Sequence, residues 1–433
     1  MRPVEQRENR NKFNKLQGNC STKSSFRWRI DGCRLRRVFS FLPGRFGRWL
    51  RTAGLLFVSA LCAAQSVQPE KPQTPTDADG AFLASQGAQP RFEFASKLSD
   101  SAALALREQR LSSVPHFSGS FAFEGKTFPY TIVGASPQAG GTTRIPTQII
   151  PVSLLFDGYA DGNGDPVVLD ASPMIGKVRN SPNFRPAVYQ TGFTQFSDAV
   201  QRAQFYGSMA QDWHTLLDAP QVLKAVNVVV PRGLARVYRN PSTGAVFAIV
   251  DSAFFISQLN TIVQMADLRT DALAILLTNN VLLSPEAGVK HCCVLGFHTA
   301  FDAGEQASMR QVQTLVWASW TDQGILGTSL GDVTAMSHEI AEWMNDPFGS
   351  NFVPPWEYAV PSLGCQATLE TADPVAALPN STYPVNIEGF TYHPQTQVLL
   401  SWFTRQPSDA VDGAYSFPDS HLVTSPSQPC PAR

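Results

Sequence analysis

Apolar and polar residues alternate from Phe117 to Val133, and the alternation turns over at Glu124-Gly125-Lys126, which predicts a β-hairpin. Further apolar runs predict strands over 147–156, 225–230 and 245–250. The three-to-four spacing of 196–217 and 252–268 predicts helices. Short continuous apolar runs at 273–283, 292–296 and 313–320 read as strands buried on both faces. Residues 383–403 suggest two more strands around Glu388-Gly389, and no internal repeat is found. The Asp/Asn/Gly segment 157–165 has the spaced oxygens of a calcium loop, but these residues also dominate tight turns, and a turn is the expectation. Residues 65–112, rich in Gln, Pro, Ala, Ser and Asp, read as a disordered linker with one helical hint at 101–107.

Helical spacing returns at Met336-Ser-His338-Glu339-Ile-Ala-Glu342-Trp-Met-Asn-Asp346-Pro347, opened by Asp332 or Ser329 as cap and closed by Pro347. At about 100° per residue, His338 and Glu342 lie one turn apart on one face. Val333, Met336, Ile340, Trp343 and Met344 form the opposite, apolar face. The polar stripe has one imidazole and three carboxylates with no Lys or Arg between them. Like charges repel at three- and four-residue spacing, and a cation removes that conflict. The bland alternative is a stripe that merely solvates a helix face.

Composition sets the outer limits. With 433 residues, 43% hydrophobic and 16% charged, the chain can build a large core. The near-neutral total hides an asymmetry: residues 1–64 carry 14 Lys+Arg against 3 Asp+Glu, leaving 20 basic and 32 acidic residues in the rest. An acidic body argues against nucleic acid and anionic membrane surfaces as partners. The basic flank at 45–51, the apolar run at 53–64 and the small residues up to Ala64 match a secretory signal peptide, too short to span a bilayer. Arg36-Arg37 also fits a twin-arginine signal. The residues before Cys62 make a poor lipid-attachment site, so no stable membrane anchor is expected. Cys292, Cys293, Cys365 and Cys430 remain after cleavage, an even number that suits disulfides in an exported protein. Adjacent Cys292 and Cys293 are expected to pair with Cys365 and Cys430 rather than with each other.

The His338-Glu339-x-x-Glu342 helix resembles the zincin metallopeptidases, whose His-Glu-x-x-His helix supplies two zinc ligands and a general base. The resemblance implies an α+β fold, a zincin-like mixed sheet with an active-site helix over 241–433, joined to a β-rich N-terminal part over 113–240. It implies His338 and Glu342 as metal ligands and Glu339 as the base. A carboxylate in place of the second histidine relaxes the preference for zinc, so zinc is expected with other divalent ions open. One zincin branch takes its third ligand from a downstream glutamate. Glu370 fits that place, with Asp346 or a histidine as rivals; Asp346 otherwise caps or braces the helix end, and Asp373 is an outer partner. His298, after the apolar run at 292–296, is a candidate ligand or transition-state donor, or else a hydrogen-bonded core histidine. A fainter similarity, through Gly331-Asp332 and Asp346-Pro347-Phe348-Gly349, is to the plant EXORDIUM-like (phosphate-induced) secreted proteins. It implies that such a helix can exist without catalysis. The expectation is a secreted zinc peptidase acting on peptides or proteins. The alternative is a non-catalytic secreted or cell-surface binding protein with a structural or vestigial metal site.

Overall fold

The computed structural model describes residues 71–94, 98–327, 330–359 and 364–430. The leader, with Cys20, Cys33, Cys62 and the Arg36-Arg37 pair, lies outside them, as does the candidate cap Ser329.

The protein is α+β, organised on one large mixed sheet. Its main path runs Thr76–Asp77, Ala235–Arg239, Val246–Asp251, Val281–Ser284, Val294–Gln306, Met309–Trp320, Leu273–Asn279, Thr147–Ala160 and Gln221–Val222. Met309–Trp320 is antiparallel to Val294–Gln306 and parallel to Leu273–Asn279, which in turn runs parallel to Thr147–Ala160. Because strand side chains alternate between faces, two separate cores form. Ile149, Ile275, Leu277, Val316 and Ala318 meet Ile340, Trp343 and Met344 of the motif helix, Thr334–Asn345. Ile150, Leu276, Leu315 and Trp317 meet Phe255, Leu259 and Ile262 of the helix Ser252–Met265. Helices therefore cover both sides, which explains runs that are apolar at every position. Asp251 caps the second helix through the Phe254 amide at 2.8 Å.

The predicted hairpin is present as His116–Phe123 and Lys126–Val133, with Glu124 and Gly125 both at positive φ in the turn. At 161–165 a tight turn stands in place of a calcium loop, closed by Asp161 Oδ1 accepting from the amides of Asn163 and Asp165.

Four expectations are corrected. The supposed linker contributes ordered elements: Gly80–Ser85 and Asp100–Arg107 are helices, and Arg91–Phe94 joins the sheet parallel to Val294–Gln306. Its apolar residues are sparse, but Leu83, Phe92, Ala102, Ala105 and Leu111 are each buried. The boundary at 240 separates nothing, since strands from both sides share the sheet and residues 68–433 are one compact unit. The helix expected over 196–217 stops at Gln204. Gly207 there packs against the Asp409 backbone, Trp213 is buried with Ile132 and Phe205, and His214–Leu217 is a strand. The run 273–283 is two strands, broken at Asn280 with φ of 54°.

The disulfides also differ from expectation, as Cys292 bonds Cys293 and Cys365 bonds Cys430. The backbone at Cys292 and Cys293 is held by hydrogen bonds to Gln89 and Arg91, which fixes both sulfurs at one buried place. Cys365 begins the strand Cys365–Thr368, paired with Phe352–Glu357, while Trp356 of that partner strand bridges to Pro429.

Candidate metal centre

The motif helix is buried over its whole circumference, not only on its apolar face. His338 and Glu339 are 0% exposed and Glu342 2%, which removes the reading of a solvated polar stripe. The helix has no side-chain cap at its start: Asp332 accepts from the amides of Val333 and His393 and from His393 Nδ1. Its C-terminal carbonyls find amide side chains instead, Asn351 Nδ2 donating to Asn345 O and Gln201 Nε2 to Met344 O. Asp346 braces this end, accepting from the amides of Ser350 and Asn351 at 2.9 and 3.1 Å.

Three separate pieces of chain bring donors to the polar face. The helix supplies His338, Glu339 and Glu342. The strand Val294–Gln306 supplies Gly296 and His298, two residues apart and both against Glu339. The turn after Cys365–Thr368 supplies Glu370 and Asp373. This turn is docked by Glu342 Oε1, which accepts from the amides of Ala372 and Asp373 at 2.9 and 3.2 Å.

His338 Nε2 stands 3.1 Å from Glu342 Oε2 and 3.6 Å from Asp373 Oδ1. Its other nitrogen, Nδ1, is 3.0 Å from Gln395 Oε1. Gln395 Nε2 donates to Ala372 O at 2.8 Å, which fixes the amide with its oxygen toward the ring. Nδ1 therefore keeps a proton, and Nε2 is the nitrogen that faces the carboxylates and that a metal would take on displacing its proton. Burial lowers the imidazole, but Glu342 and Asp373 prevail and hold it above its ordinary range. Phe92 stacks on the imidazole with 3.6 Å between ring centres. His298 Nδ1 is 3.2 Å from Glu339 Oε2 and 3.8 Å from Glu342 Oε2, and its Nε2 is 3.8 Å from Glu370 Oε2.

The expected ligand set is thus redistributed. His338 and Glu342 come together as predicted, but the carboxylate completing their trio is Asp373, expected only as an outer partner. Glu370 sits against Glu342 and His298 and belongs to neither compact trio of donors. Asp346 serves as a brace at the helix end. Tyr358 and Gln366, which hydrogen-bond Asp373 Oδ2, and Gln395 were not singled out from the sequence. They lie far from the motif along the chain and carry no spacing signal.

Burial and mutual repulsion shift the titration of these groups. Burial, then the charges of Glu342, Asp373 and Asp346, push the Glu370 carboxyl well above its ordinary range. Burial and Glu342 push Asp373 up to about 7, against the opposing pull of His338. Burial lifts Asp346 to about 7 despite its amide donors. Burial raises and His338 lowers the Glu342 carboxyl, with the histidine prevailing. Burial holds the His298 imidazole down at about 4. Among the described residues, the ion-pair partners of Glu342, Glu370 and Asp373 are all histidines.

No protein-family model, curated protein or solved structure matches this chain. The reading of the site therefore rests on its own chemistry.

Proposed function

We propose that this protein is an exported metal-dependent hydrolase, with zinc as the ion and a peptide bond as the substrate class. The observation that carries the reading is the convergence, inside the core, of one donor atom each from His338, Glu342 and Asp373 within 4.8 Å of one another, with His338 Nε2 at 3.1 and 3.6 Å from the two carboxylates. One imidazole and two carboxylates satisfy the three-ligand rule for catalytic zinc, and the donor set also suits manganese or iron. A bound divalent ion acts as a Lewis acid that lowers the pKa of water and polarises a carbonyl.

The chain's own residues then divide the work. His338, Glu342 and Asp373 hold the ion, with Gln395 fixing the His338 tautomer. Glu339, one residue along from His338, takes the proton from the attacking water. His298, kept neutral by burial, donates its single N–H from Nδ1 to Oε2 of Glu339 and so orients the base. Export is supported by the leader in the sequence and by two disulfides, which persist in oxidising compartments. No helix among the described residues is long and apolar enough to cross a membrane.

One observation favours the second reading, a secreted binding protein with a structural ion. His338, Glu339, Glu342, Glu370 and Asp373 are all buried, and Phe92 covers the His338 ring, whereas a catalytic ion needs an open position. Turnover of casein or a peptide library by the zinc-loaded protein, with Glu339→Gln as control, separates the two. The hydrolase reading expects turnover that falls by about 10²–10⁴-fold in the variant. Equal turnover in both proteins would rule out the mechanism, and a bound ion without turnover would favour the structural reading.

A further inference from the structure

The two oxygens of Glu342 have different tasks. Oε1 is taken by two main-chain donors, the amides of Ala372 and Asp373. Oε2 is the atom that faces both imidazoles, at 3.1 Å from His338 Nε2 and 3.8 Å from His298 Nδ1. On the first side Asp373 Oδ1 stands 3.6 Å from the same His338 nitrogen. On the second side Glu339 Oε2 stands 3.2 Å from the same His298 nitrogen. Each side is a trio of one imidazole and two carboxylates with mutual separations within 4.8 Å, and Glu342 belongs to both. For ligand bonds of about 2.1 Å, adjacent ligands of a tetrahedral ion stand about 3.4 Å apart. The imidazole-to-carboxylate distances in both trios bracket that value.

Charge gives a second, independent argument. Glu339, Glu342, Glu370 and Asp373 are four carboxylates, none more than 7% exposed, beside two imidazoles. A buried charge is tolerated only when it is paired or coordinated. One divalent ion balances two of the four carboxylates; those left over take a second ion or hold a proton, as the raised Glu370 carboxyl does. Asp346 stands outside this count because it belongs to neither trio and turns both oxygens to the main chain at the helix end.

We infer that the cluster holds two divalent cations, with Glu342 Oε2 shared between them. The first is held by His338 and Asp373, the second by His298 and Glu339. The inference extends the hydrolase reading and keeps its first ion in place, while the second ion replaces the His298 Nδ1–Glu339 Oε2 hydrogen bond and leaves the His298 proton on Nε2. Glu339 contributes Oε2 to the second trio, while its Oε1 lies against Gly296.

The test is equilibrium dialysis of the chelator-stripped protein against zinc, with ions per chain counted by mass spectrometry and folding checked by circular dichroism. Two ions per chain at saturation are expected. Glu339→Gln and His298→Gln should each retain one, and Asp373→Asn should lose the other. Loading with manganese gives a readout that needs no variant: an exchange-coupled electron paramagnetic resonance spectrum is expected. One ion per folded chain, or the six-line signal of isolated manganese at saturation, would overturn the second site while leaving the hydrolase reading intact. Two ions without turnover would sustain the pair and overturn the hydrolase reading. No bound ion would overturn both.

Discussion

Gly296→Ala is the smallest change that addresses the geometry of Glu339 without touching a titratable group. A Cβ built at position 296 would stand 2.7 Å from both Glu339 Cγ and Oε1, and 3.1 Å from Cδ. Carbon atoms in contact prefer about 3.5–4.0 Å, so one partner must yield by about 1 Å. Glu339 has little freedom to do so, being fully buried on a helix with His298 against its carboxylate. The strand is equally held, with Gly296 paired to Ala318 across the sheet. Overpacking of this kind costs about 1–3 kcal/mol of folding stability. A displacement of about 1 Å at a reacting group costs on the order of 10²-fold in rate. Urea unfolding of the zinc-loaded protein measures the first quantity and peptide turnover the second. The ion held by His338, Glu342 and Asp373 should remain, which separates displacement of the base from general collapse. A variant with unchanged unfolding midpoint and unchanged turnover would refute the contact and the role drawn from it.

Four further outcomes follow from the same geometry. Gln395→Leu leaves the His338 Nδ1–H without its acceptor, so zinc affinity should fall by about 10–100-fold in a competitive chelator titration; unchanged affinity would mean that the ring is oriented by something else. Asp373→Asn should weaken zinc binding more than Glu370→Gln, and the reverse order would restore the ligand set read from the zincin resemblance. The chelator-treated protein should lose stability as pH rises from about 4 to about 7. Over that window the raised carboxyls of Glu370 and Asp373 keep protons that the unfolded chain has released. Asp346, raised to about 7, adds to the loss. The lowered Glu342 opposes it near the bottom of the window, and His298, lowered to about 4, opposes it up to the ordinary imidazole range. Three raised carboxyls outweigh one imidazole, so a melting temperature that climbs steadily across the window would contradict the assignment. Replacing Cys365 and Cys430 by Ala should cost about 4 kcal/mol, because the bond closes a loop with a sequence separation of 65; a loss under about 1 kcal/mol in denaturant would indicate that the loop is restrained without it.

What could be read from the chain depended on how locally each feature is encoded. The hairpin at Glu124-Gly125, the strand expected over 245–250 and the motif helix each follow from periodicity and a nearby turn or cap, and each is present. The pairing of His338 with Glu342 follows from helix geometry alone. The break at Asn280 was hidden because both halves of the run are equally apolar, and only the sheet order shows that they occupy different positions. The ordered segment before 112 was hidden for the opposite reason. Its few apolar residues look too sparse to fold, yet each finds a place on a core already built by other strands. Asp373 and Glu370 were both legible as candidates near the motif, but their order was not. That order is set by Glu342 Oε1 drawing the Ala372 and Asp373 amides toward itself, a tertiary contact. Gln395 could not be found at all, since a buried glutamine has no periodic signature.

Anomalous diffraction at the zinc edge, from crystals of the zinc-loaded protein, tests the central claim most directly. The account predicts a peak in contact with His338 Nε2, Glu342 Oε2 and Asp373 Oδ1. Well-ordered side chains at those three positions with no anomalous density between them would contradict it.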